Sequence, residues 1–307
     1  MPLSLPARLG LALTLLAIAA PVPAAVGPAE AATRAPVTTL RDRYVQVRER
    51  LEKSPYGRPL WLDSREMDRE LQGDAYAVVA QPFEKVQEAL SPAGNWCELL
   101  MLPFNTKNCT AQGAGPGARL TLFVGRKNDS PLESAYRLDF DYDQTARSRD
   151  FLQLVLKAAT GPLGTKDYRI VLEATPLDDG RTFLHFSYNY SYGTLSRMAM
   201  QAYLATAGSS KVGFTSEGGA GQQKLVGGMR GVMERNTMRY FLAIDAYLSS
   251  MDAPAAQRVT QRLNDWFSGI ERYPRQLNED IGRGEYVAMK RREYARMAAI
   301  ARPAAGT

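Results

Sequence analysis

Two stretches in the middle of the chain alternate between apolar and polar residues, and this alternation constrains the fold more than any other feature. Residues 136–143 read YRLDFDYD, and residues 183–192 read FLHFSYNYSY. A period of two residues is typical of a β-strand with one buried face and one face in water, as in antiparallel sheets. The sequence therefore predicts a sheet whose apolar face must be covered by other elements.

Shorter segments of similar character surround these two strands. Further extended segments are predicted at residues 60–80, 120–124, 152–156 and 168–172. Helices are predicted from apolar residues that recur every three or four positions, at 40–53, 83–90, 257–270 and 286–300, with a long one from about 224 or 229 to 251. The order is strand, helix, about six antiparallel strands and then helices. Strands packed against segregated helices make an α+β fold.

Residues 1–31 have the composition of a secretory signal peptide. Arg8 precedes an apolar run at 9–20, and Ala29-Glu30-Ala31 is a candidate cleavage site, although cleavage after Ala24 or Ala25 is an alternative. The apolar run is too short for a membrane anchor, which needs about 20 residues. We therefore expect a cleaved signal and a mature protein that is periplasmic or secreted.

The chain has two cysteines, Cys97 and Cys109. In an oxidising compartment such a pair is expected to form a disulfide, and two unpaired buried thiols are the alternative. Their spacing is not that of a C-x-x-C redox motif. A zinc site from Cys and His is nearly excluded, because His185 is the one histidine of the sequence. We predict no metal and no cofactor.

Several local features add to the element order. They are Gln81-Pro82 before a helix, Asn95-Trp96-Cys97, the aromatic hairpin, and the run 227–231 (GGMRG) before the long helix. With these features the chain resembles the START/Bet v 1-like (SRPBCC) superfamily over residues 60–252. The resemblance implies a helix-grip fold, in which a curved antiparallel sheet wraps around a long C-terminal helix and encloses an apolar cavity. Most members bind lipids, sterols or other apolar molecules, and some are polyketide cyclases.

The chain extends beyond the minimal fold at both ends. The resemblance leaves an added N-terminal helix at 37–58 and a C-terminal helical extension at 253–307, whose tail is basic. The tail at 283–302 is expected either to be a solvated helix or to contact an anionic membrane. Nucleic acid is not expected as a partner of an exported protein, despite the net charge of +6.

An aromatic ladder on the predicted sheet faces a Met- and Tyr-rich stripe of the long helix. A filled core is one interpretation, but so many buried phenol groups would need hydrogen-bond partners, which favours a pocket with polar anchors. The predicted ligand-binding residues are Tyr136, Phe140, Tyr188, Tyr190, Met233, Asn236 and Tyr240.

No catalytic residue is predicted. His185 lies on the polar face of its strand, where a surface or hydrogen-bonded role is expected. Asp139, Asp141 and Asp143 have the start of a calcium-loop spacing, but the glycine and glutamate that an EF-hand needs are missing. The glycines at 213–231 match no nucleotide-binding motif.

The sequence therefore predicts an exported protein that binds a hydrophobic ligand, with a lipid as the leading candidate, without covalent chemistry. One alternative is a cyclase-like or hydrolytic enzyme that uses the same cavity. Another is an envelope interaction module, in which the terminal helices bind a partner.

Overall fold

One antiparallel sheet dominates the part of the chain that the structure describes, with strands in the order β1-β2-β8-β7-β6-β5-β4-β3. The structure is a computed structural model and describes residues 36–206, 208–217, 224–277 and 281–301. The predicted signal peptide lies outside these residues. The strands of the sheet are β1 Leu60–Met67, β2 Glu70–Val79, β3 Thr106–Gln112, β4 Ala118–Val124, β5 Tyr136–Arg147, β6 Leu152–Thr160, β7 Thr165–Pro176 and β8 Thr182–Tyr192; β9 Ser216–Glu217 and β10 Lys224–Leu225 form a separate small pair.

The helices lie on both faces of this sheet. They are α1 Pro36–Glu52, α2 Phe83–Leu90, α3 Ala93–Leu100, α4 Thr194–Ala205, α5 Gly228–Ser249, α6 Ala255–Glu271, α7 Pro274–Leu277 and α8 Arg283–Ala301. The first helix packs Leu40, Val47 and Leu51 on one face of the sheet, against Tyr76 and Phe183. The long helix α5 covers the other face. Among the described helices, none has the length and hydropathy that a membrane span needs.

Strands that are adjacent in the sheet are also consecutive in sequence, except for the pair β2 and β8. Each of β3 to β8 pairs with its neighbour in sequence, while β2 returns to pair with β8, where Leu71 lies opposite Tyr190. Irregular register occurs in three of the ladders, between Thr106 and Asn108, between Gln144 and Ala146, and between Lys166 and Arg169. Such irregularities bend strands and increase their twist, so the sheet curves around α5. The predicted α+β class with a curved sheet is confirmed.

The long helix packs closely on β2 because Gly73 has no side chain. A Cβ atom at this position would lie 2.1 Å from Thr237 Oγ1 and 2.9 Å from Met233 Cγ. Both distances are far below van der Waals contact. The absence of a side chain at position 73 therefore sets how near α5 comes to the sheet.

Two charged residues of α5 lie in the interior, although a charged side chain on a helix normally indicates a solvent-facing position. Glu234 and Arg235 are buried. Glu234 accepts hydrogen bonds from Ser64 Oγ at 2.6 Å and from the backbone N–H groups of Phe214 and Thr215 at 2.6 and 2.9 Å. The carboxylate is buried because it satisfies the backbone of a segment that crosses the helix.

The C-terminal helices pack into the same core rather than standing apart from it. Trp266 of α6 stacks on Tyr286 of α8 with ring centroids 5.2 Å apart, and Phe104 meets both rings edge-on. Tyr286 Oη donates a hydrogen bond to the backbone oxygen of Leu102 at 2.9 Å. These helices therefore close one end of the structure.

The basic tail is also largely engaged within the protein. Lys290 is fully buried, where its ammonium donates hydrogen bonds to Glu293 Oε2 at 2.8 Å and to the backbone oxygen of Thr106 at 2.7 Å. The other described basic side chains of the tail with polar partners in the protein are Arg283 with Glu271, Arg291 with Thr260, Arg292 with Asp129 and Arg296 with Lys107. Arg302 lies outside the described residues. A fully solvated helix is thus a wrong prediction, and the packing gives no support to membrane contact by this tail.

The predicted disulfide is confirmed. Cys97 and Cys109 are bonded, with their Cα atoms 5.2 Å apart, and the bond joins α3 to β3. The sequence analysis does not predict α3, because Ser91-Pro92 marks a helix end there. In the structure Pro92 is the N-cap residue of this second, short helix.

Candidate functional site

A cavity of about 460 Å³ lies between the sheet and α5. This volume is within the range of small-molecule sites. Side chains of β4, β5, β7 and β8 form one wall, α5 forms another, and α4 with the turn between β6 and β7 closes part of the remaining side. The residues that line it are Leu100, Pro103, Asn105, Leu122, Val124, Leu138, Phe140, Pro162, Leu163, Thr165, Tyr168, Ile170, Tyr188, Tyr190, Tyr192, Ser196, Ala199, Met200, Tyr203, Met229, Asn236, Arg239 and Tyr240.

An aromatic group forms the centre of the wall. The alternation of β8 places Tyr188, Tyr190 and Tyr192 on the inner face of the sheet. Tyr190 stacks on Tyr168 with centroids 5.2 Å apart, and Tyr188 meets Tyr240 of α5 edge-on at 5.3 Å. These contacts hold the rings in place and leave their hydroxyl groups at the cavity.

Three of these hydroxyl groups have no hydrogen-bond partner among the described residues, namely those of Tyr188, Tyr190 and Tyr240. Burial raises the pKa of Tyr240 to about 12 and that of Tyr188 well above its usual value. The phenols are therefore neutral near pH 7, and each can donate one hydrogen bond and accept another. Since buried hydroxyl groups normally have partners, water or a ligand is needed to supply them.

A polar corner lies on the α5 side of the cavity. Arg239 is largely buried and lines the cavity together with Asn236, to whose Oδ1 its Nη1 donates a hydrogen bond at 3.3 Å. Asn236 and Tyr240 lie four positions apart and therefore on the same face of the helix. The sequence analysis predicts Asn236 and Tyr240 but not Arg239, because an arginine on a helix normally indicates a solvent-facing position.

The structure brings together most of the predicted ligand-binding residues. Those that line the cavity are Phe140, Tyr188, Tyr190, Asn236 and Tyr240. Tyr136 does not, since its side chain at the beginning of β5 is 51% exposed. Met233 is fully buried where α5 packs on Gly73 of β2, and it is not a lining residue either. Both wrong predictions, Tyr136 and Met233, have one physical cause. Alternation and helical spacing show on which face of its element a side chain lies, but not whether that part of the face lies over the cavity.

The mouth of the cavity involves α4, to which the sequence analysis assigns no element. Ser196, Ala199, Met200 and Tyr203 of this helix line the cavity. Ser196 Oγ donates a hydrogen bond to the backbone oxygen of Leu163 at 2.7 Å, which ties α4 to the β6–β7 turn. The signal in the sequence is a run without glycine or proline at 194–205, directly after Gly193.

His185 lies on the opposite face of the sheet from the cavity. Its Nε2 is 2.9 Å from Asp74 Oδ1, and its Nδ1 is 2.9 Å from Glu173 Oε2. Tyr76 stacks on the imidazole with centroids 4.5 Å apart. Burial alone would lower the pKa of His185, but hydrogen bonds and charge from both carboxylates raise it to about 8. The expected hydrogen-bonded strand histidine is confirmed, since carboxylates of the two neighbouring strands contact both ring nitrogens.

The acidic row of β5 has the solvated position that the sequence predicts. Asp139, Asp141 and Asp143 are exposed, and the first two are bonded to Thr121 and Arg119 of the neighbouring strand. Among the described residues, no group of three or more His, Cys, Asp or Glu side chains could hold a metal ion. The lining of the cavity contains none of these four residue types.

The element order identifies the architecture. The strand β2 is followed by two short helices, then by the six antiparallel strands β3 to β8, and the sheet encloses a long helix that follows them in sequence. This is the helix-grip fold. The helix-grip fold that the resemblance to the START/Bet v 1-like superfamily predicts is therefore confirmed by the element order. The added elements are α1 and β1 before it, α4 within it, and α6 to α8 after it.

Comparison with known proteins gives matches among solved structures at low identity. No family model matches the chain, and no curated protein matches it. Among solved structures, norcoclaurine synthase from Thalictrum flavum is 12% identical, with 46% of this chain and 75% of that chain covered and a TM-score of 0.31. An aromatase/cyclase from Streptomyces sp. R1128 is 15% identical, with 66% and 95% covered and a TM-score of 0.32. A conserved protein from Geobacillus kaustophilus is 13% identical, with 58% and 95% covered and a TM-score of 0.35.

Proposed function

We propose that the protein binds a small, largely apolar molecule in the cavity between the sheet and α5. The observation that carries this proposal is the set of three neutral phenol groups, Tyr188, Tyr190 and Tyr240, which face the cavity without protein partners. A filled core would leave these hydroxyl groups unsatisfied at a cost of about 1–3 kcal/mol each. A ligand with a carbon framework and one or more oxygen acceptors would satisfy them.

A lipid is the ligand class that we propose. Aliphatic and aromatic side chains make up most of the wall, and the polar groups are concentrated near Asn236, Arg239 and the tyrosines. Such a distribution suits an amphiphile whose apolar part lies along β4, β5 and β7 and whose oxygen-bearing end lies at α5. Binding to a preformed apolar cavity of this kind is a common design for small-molecule sites.

We further propose that binding proceeds without covalent chemistry. The described lining offers no carboxylate, imidazole or thiol as a base or nucleophile, and burial keeps the phenols protonated. The alternative is a cyclase-like enzyme in which a neutral tyrosine donates a proton to a ligand carbonyl. That alternative requires turnover to be lost in Tyr188→Phe or Tyr240→Phe while ligand affinity changes by less than about tenfold.

The binding proposal is tested by filling the cavity from its mouth. Ala199 lines the cavity on α4, whereas Ala202 on the same helix is exposed and does not. Titration with the fluorescent apolar probe N-phenyl-1-naphthylamine should show saturable binding to the wild-type protein. Ala199→Trp should weaken this binding at least tenfold, and the matched control Ala202→Trp should leave it unchanged. Equal affinities for both variants would reject the cavity as the binding site.

Export remains a proposal that rests on residues 1–31 and receives support from the Cys97–Cys109 disulfide, since disulfides persist in oxidising compartments. Intact mass measurement of the protein from its native host tests it. Loss of the first 24 to 31 residues is the expected result. A mature protein that begins at Met1 would contradict export through a cleaved signal.

A further inference from the structure

Asn236 is a polar residue of the cavity wall whose side-chain amide is oriented by a neighbour on α5. Arg239 Nη1 donates a hydrogen bond to Asn236 Oδ1 at 3.3 Å. A guanidinium has five N–H donors and no acceptor, so the atom of the amide that faces it must be the oxygen. The amide nitrogen is therefore the end of the Asn236 side chain that is turned away from Arg239.

This amide nitrogen is available to a ligand. Asn236 lines the cavity, and its Nδ2 has no hydrogen-bond partner among the described residues. Fully enclosed polar atoms without a partner do occur elsewhere in the described part of the chain, for example Asn108 Oδ1, but Asn236 Nδ2 is not one of them. The N–H groups of Asn236 can therefore donate hydrogen bonds into the cavity.

Two phenols place further donors beside the amide. Tyr240 lies four positions after Asn236 and so on the same face of α5. Tyr188 of β8 meets the ring of Tyr240 edge-on, with centroids 5.3 Å apart. Burial keeps both phenols protonated, because it raises the pKa of each above its usual value. One corner of the cavity therefore gathers N–H and O–H donors from α5 and β8.

Several acceptors of the lining residues, in contrast, already have donors in the protein. The backbone oxygen of Leu163 accepts a hydrogen bond from Ser196 Oγ, and that of Pro162 accepts one from Thr165 Oγ1. Thr165 Oγ1 itself accepts from Tyr168 Oη at 2.7 Å. The described lining contains no Asp or Glu. An ammonium group in the cavity would therefore have no carboxylate to balance its charge, which makes its burial costly.

We propose that the polar end of the ligand is a carbonyl group, which accepts hydrogen bonds from Asn236 Nδ2 and from the hydroxyl of Tyr240. Asn236 is then the residue that determines specificity, since its amide donates to a carbonyl oxygen but offers an ammonium group nothing. The inference rests on the proposed function, because it concerns the ligand of the same cavity. It adds the functional group that the cavity selects and the group that it rejects.

Two compounds of equal chain length, 2-dodecanone and dodecylamine, test this selectivity. Each is titrated near pH 7 against bound N-phenyl-1-naphthylamine, and the ratio of their affinities is compared between variants, so that differences in hydrophobicity cancel. The wild type should bind the ketone at least tenfold more tightly than the amine. Asn236→Asp replaces the amide donor with a carboxylate, so the ratio of ketone to amine affinity should fall at least tenfold.

Asn189→Asp is the matched control. Asn189 lies on the other face of β8 and does not line the cavity, so this variant adds the same charge outside the site and should keep the wild-type ratio. Asn236→Leu is a second test variant, which removes the donor without adding a charge. Its ratio should also fall, by about fivefold, as expected for the loss of one hydrogen bond.

Two results would overturn the inference. One is equal affinity of the wild-type protein for the ketone and the amine. The other is a wild-type ratio in both Asn236→Asp and Asn236→Leu. Failure of the proposed function would look different, because N-phenyl-1-naphthylamine itself would then show no saturable binding to the wild-type protein.

Discussion

The ammonium of Lys107 and the carboxylate of Glu293 lie 3.1 Å apart with both side chains almost completely removed from water. Lys107 also donates hydrogen bonds to the backbone oxygens of Phe104 and Asn128, at 3.0 and 2.9 Å. Lys290 binds the second oxygen of the same carboxylate at 2.8 Å. Glu293 of α8 thus contacts β3 through Lys107 and pairs with Lys290 on its own helix.

Removing that carboxylate should destabilise the whole domain. Glu293→Gln leaves two buried ammonium groups without a countercharge, and breaking a buried ion pair in this way costs about 3–5 kcal/mol. Glu285→Gln, an exposed position on the same helix, is the control. Denaturant unfolding should show a large decrease in the free energy of unfolding for the first variant and a change within about 0.5 kcal/mol for the second. Equal values would mean that the network does not hold α8 in place.

The His185 cluster predicts a fall in stability between pH 6.5 and 8. The two carboxylates raise the pKa of His185 from 6.5 to about 8, so in this window the folded protein binds more protons than the unfolded chain. The contribution of His185 to the free energy of unfolding is complete below pH 6.5 and is lost as the pH rises through 8. The shift corresponds to about 2 kcal/mol.

The His185 prediction is checked by comparing the pH dependence of stability in the wild type and in a variant without the imidazole. The free energy of unfolding is measured from pH 6 to 8.5 for the wild type and for His185→Gln, which keeps a hydrogen-bonding side chain without a titrating group. The wild-type curve should fall relative to that of the variant by about 2 kcal/mol over this range. Parallel curves would show that the imidazole does not carry the charge that Asp74 and Glu173 imply.

For Lys290 we predict the opposite effect at higher pH, namely a free energy of unfolding that rises with pH. Burial lowers its pKa from 10.5 to about 8, in spite of the attraction of Glu293. Between these values the unfolded chain binds the additional proton, so this group makes stability rise with pH. Lys290→Met should remove that rise between about pH 8 and 10.5. The result that contradicts this prediction is an unchanged pH profile in the variant.

The inner face of β8 could be predicted from the sequence, and the charged interior could not. Alternation at 183–192 depends on nearest neighbours in the chain, so it reveals the inner face of β8 directly. Glu234 and Lys290 are buried because their partners, Ser64 with the backbone of Phe214, and Thr106 with Glu293, come from distant segments. A helical pattern contains no information about such partners.

The residues of the candidate site also fall into those that could be predicted from the sequence and those that could not. Tyr188, Tyr190, Asn236 and Tyr240 could be predicted because each follows the period of its own element. Tyr136 has the right face of β5 but lies at its end, where its side chain is half exposed. The mouth at α4 could not be predicted, because Ser196 is the one buried residue of this helix, and so little burial gives a weak amphipathic pattern.

Close packing of α5 on β2 predicts that Gly73→Ala is destabilising. The added methyl group would overlap Thr237 Oγ1, and overpacking of this kind costs about 1–3 kcal/mol. Adding Thr237→Ala should recover part of the loss, since it removes the nearest clashing atom. A double-mutant cycle in denaturant measures the coupling. Additive effects would mean that the helix and the strand are not in contact at this point.

The central claim is that the cavity of the purified protein takes up an apolar ligand, and native mass spectrometry tests it most directly. Protein purified without detergent is compared with Ala199→Trp and Ala202→Trp. We predict that the wild type and Ala202→Trp carry a non-covalent adduct that organic extraction recovers as a lipid, and that Ala199→Trp carries little or none. Wild-type protein that is free of adduct and does not gain one on incubation with lipid vesicles would contradict the account.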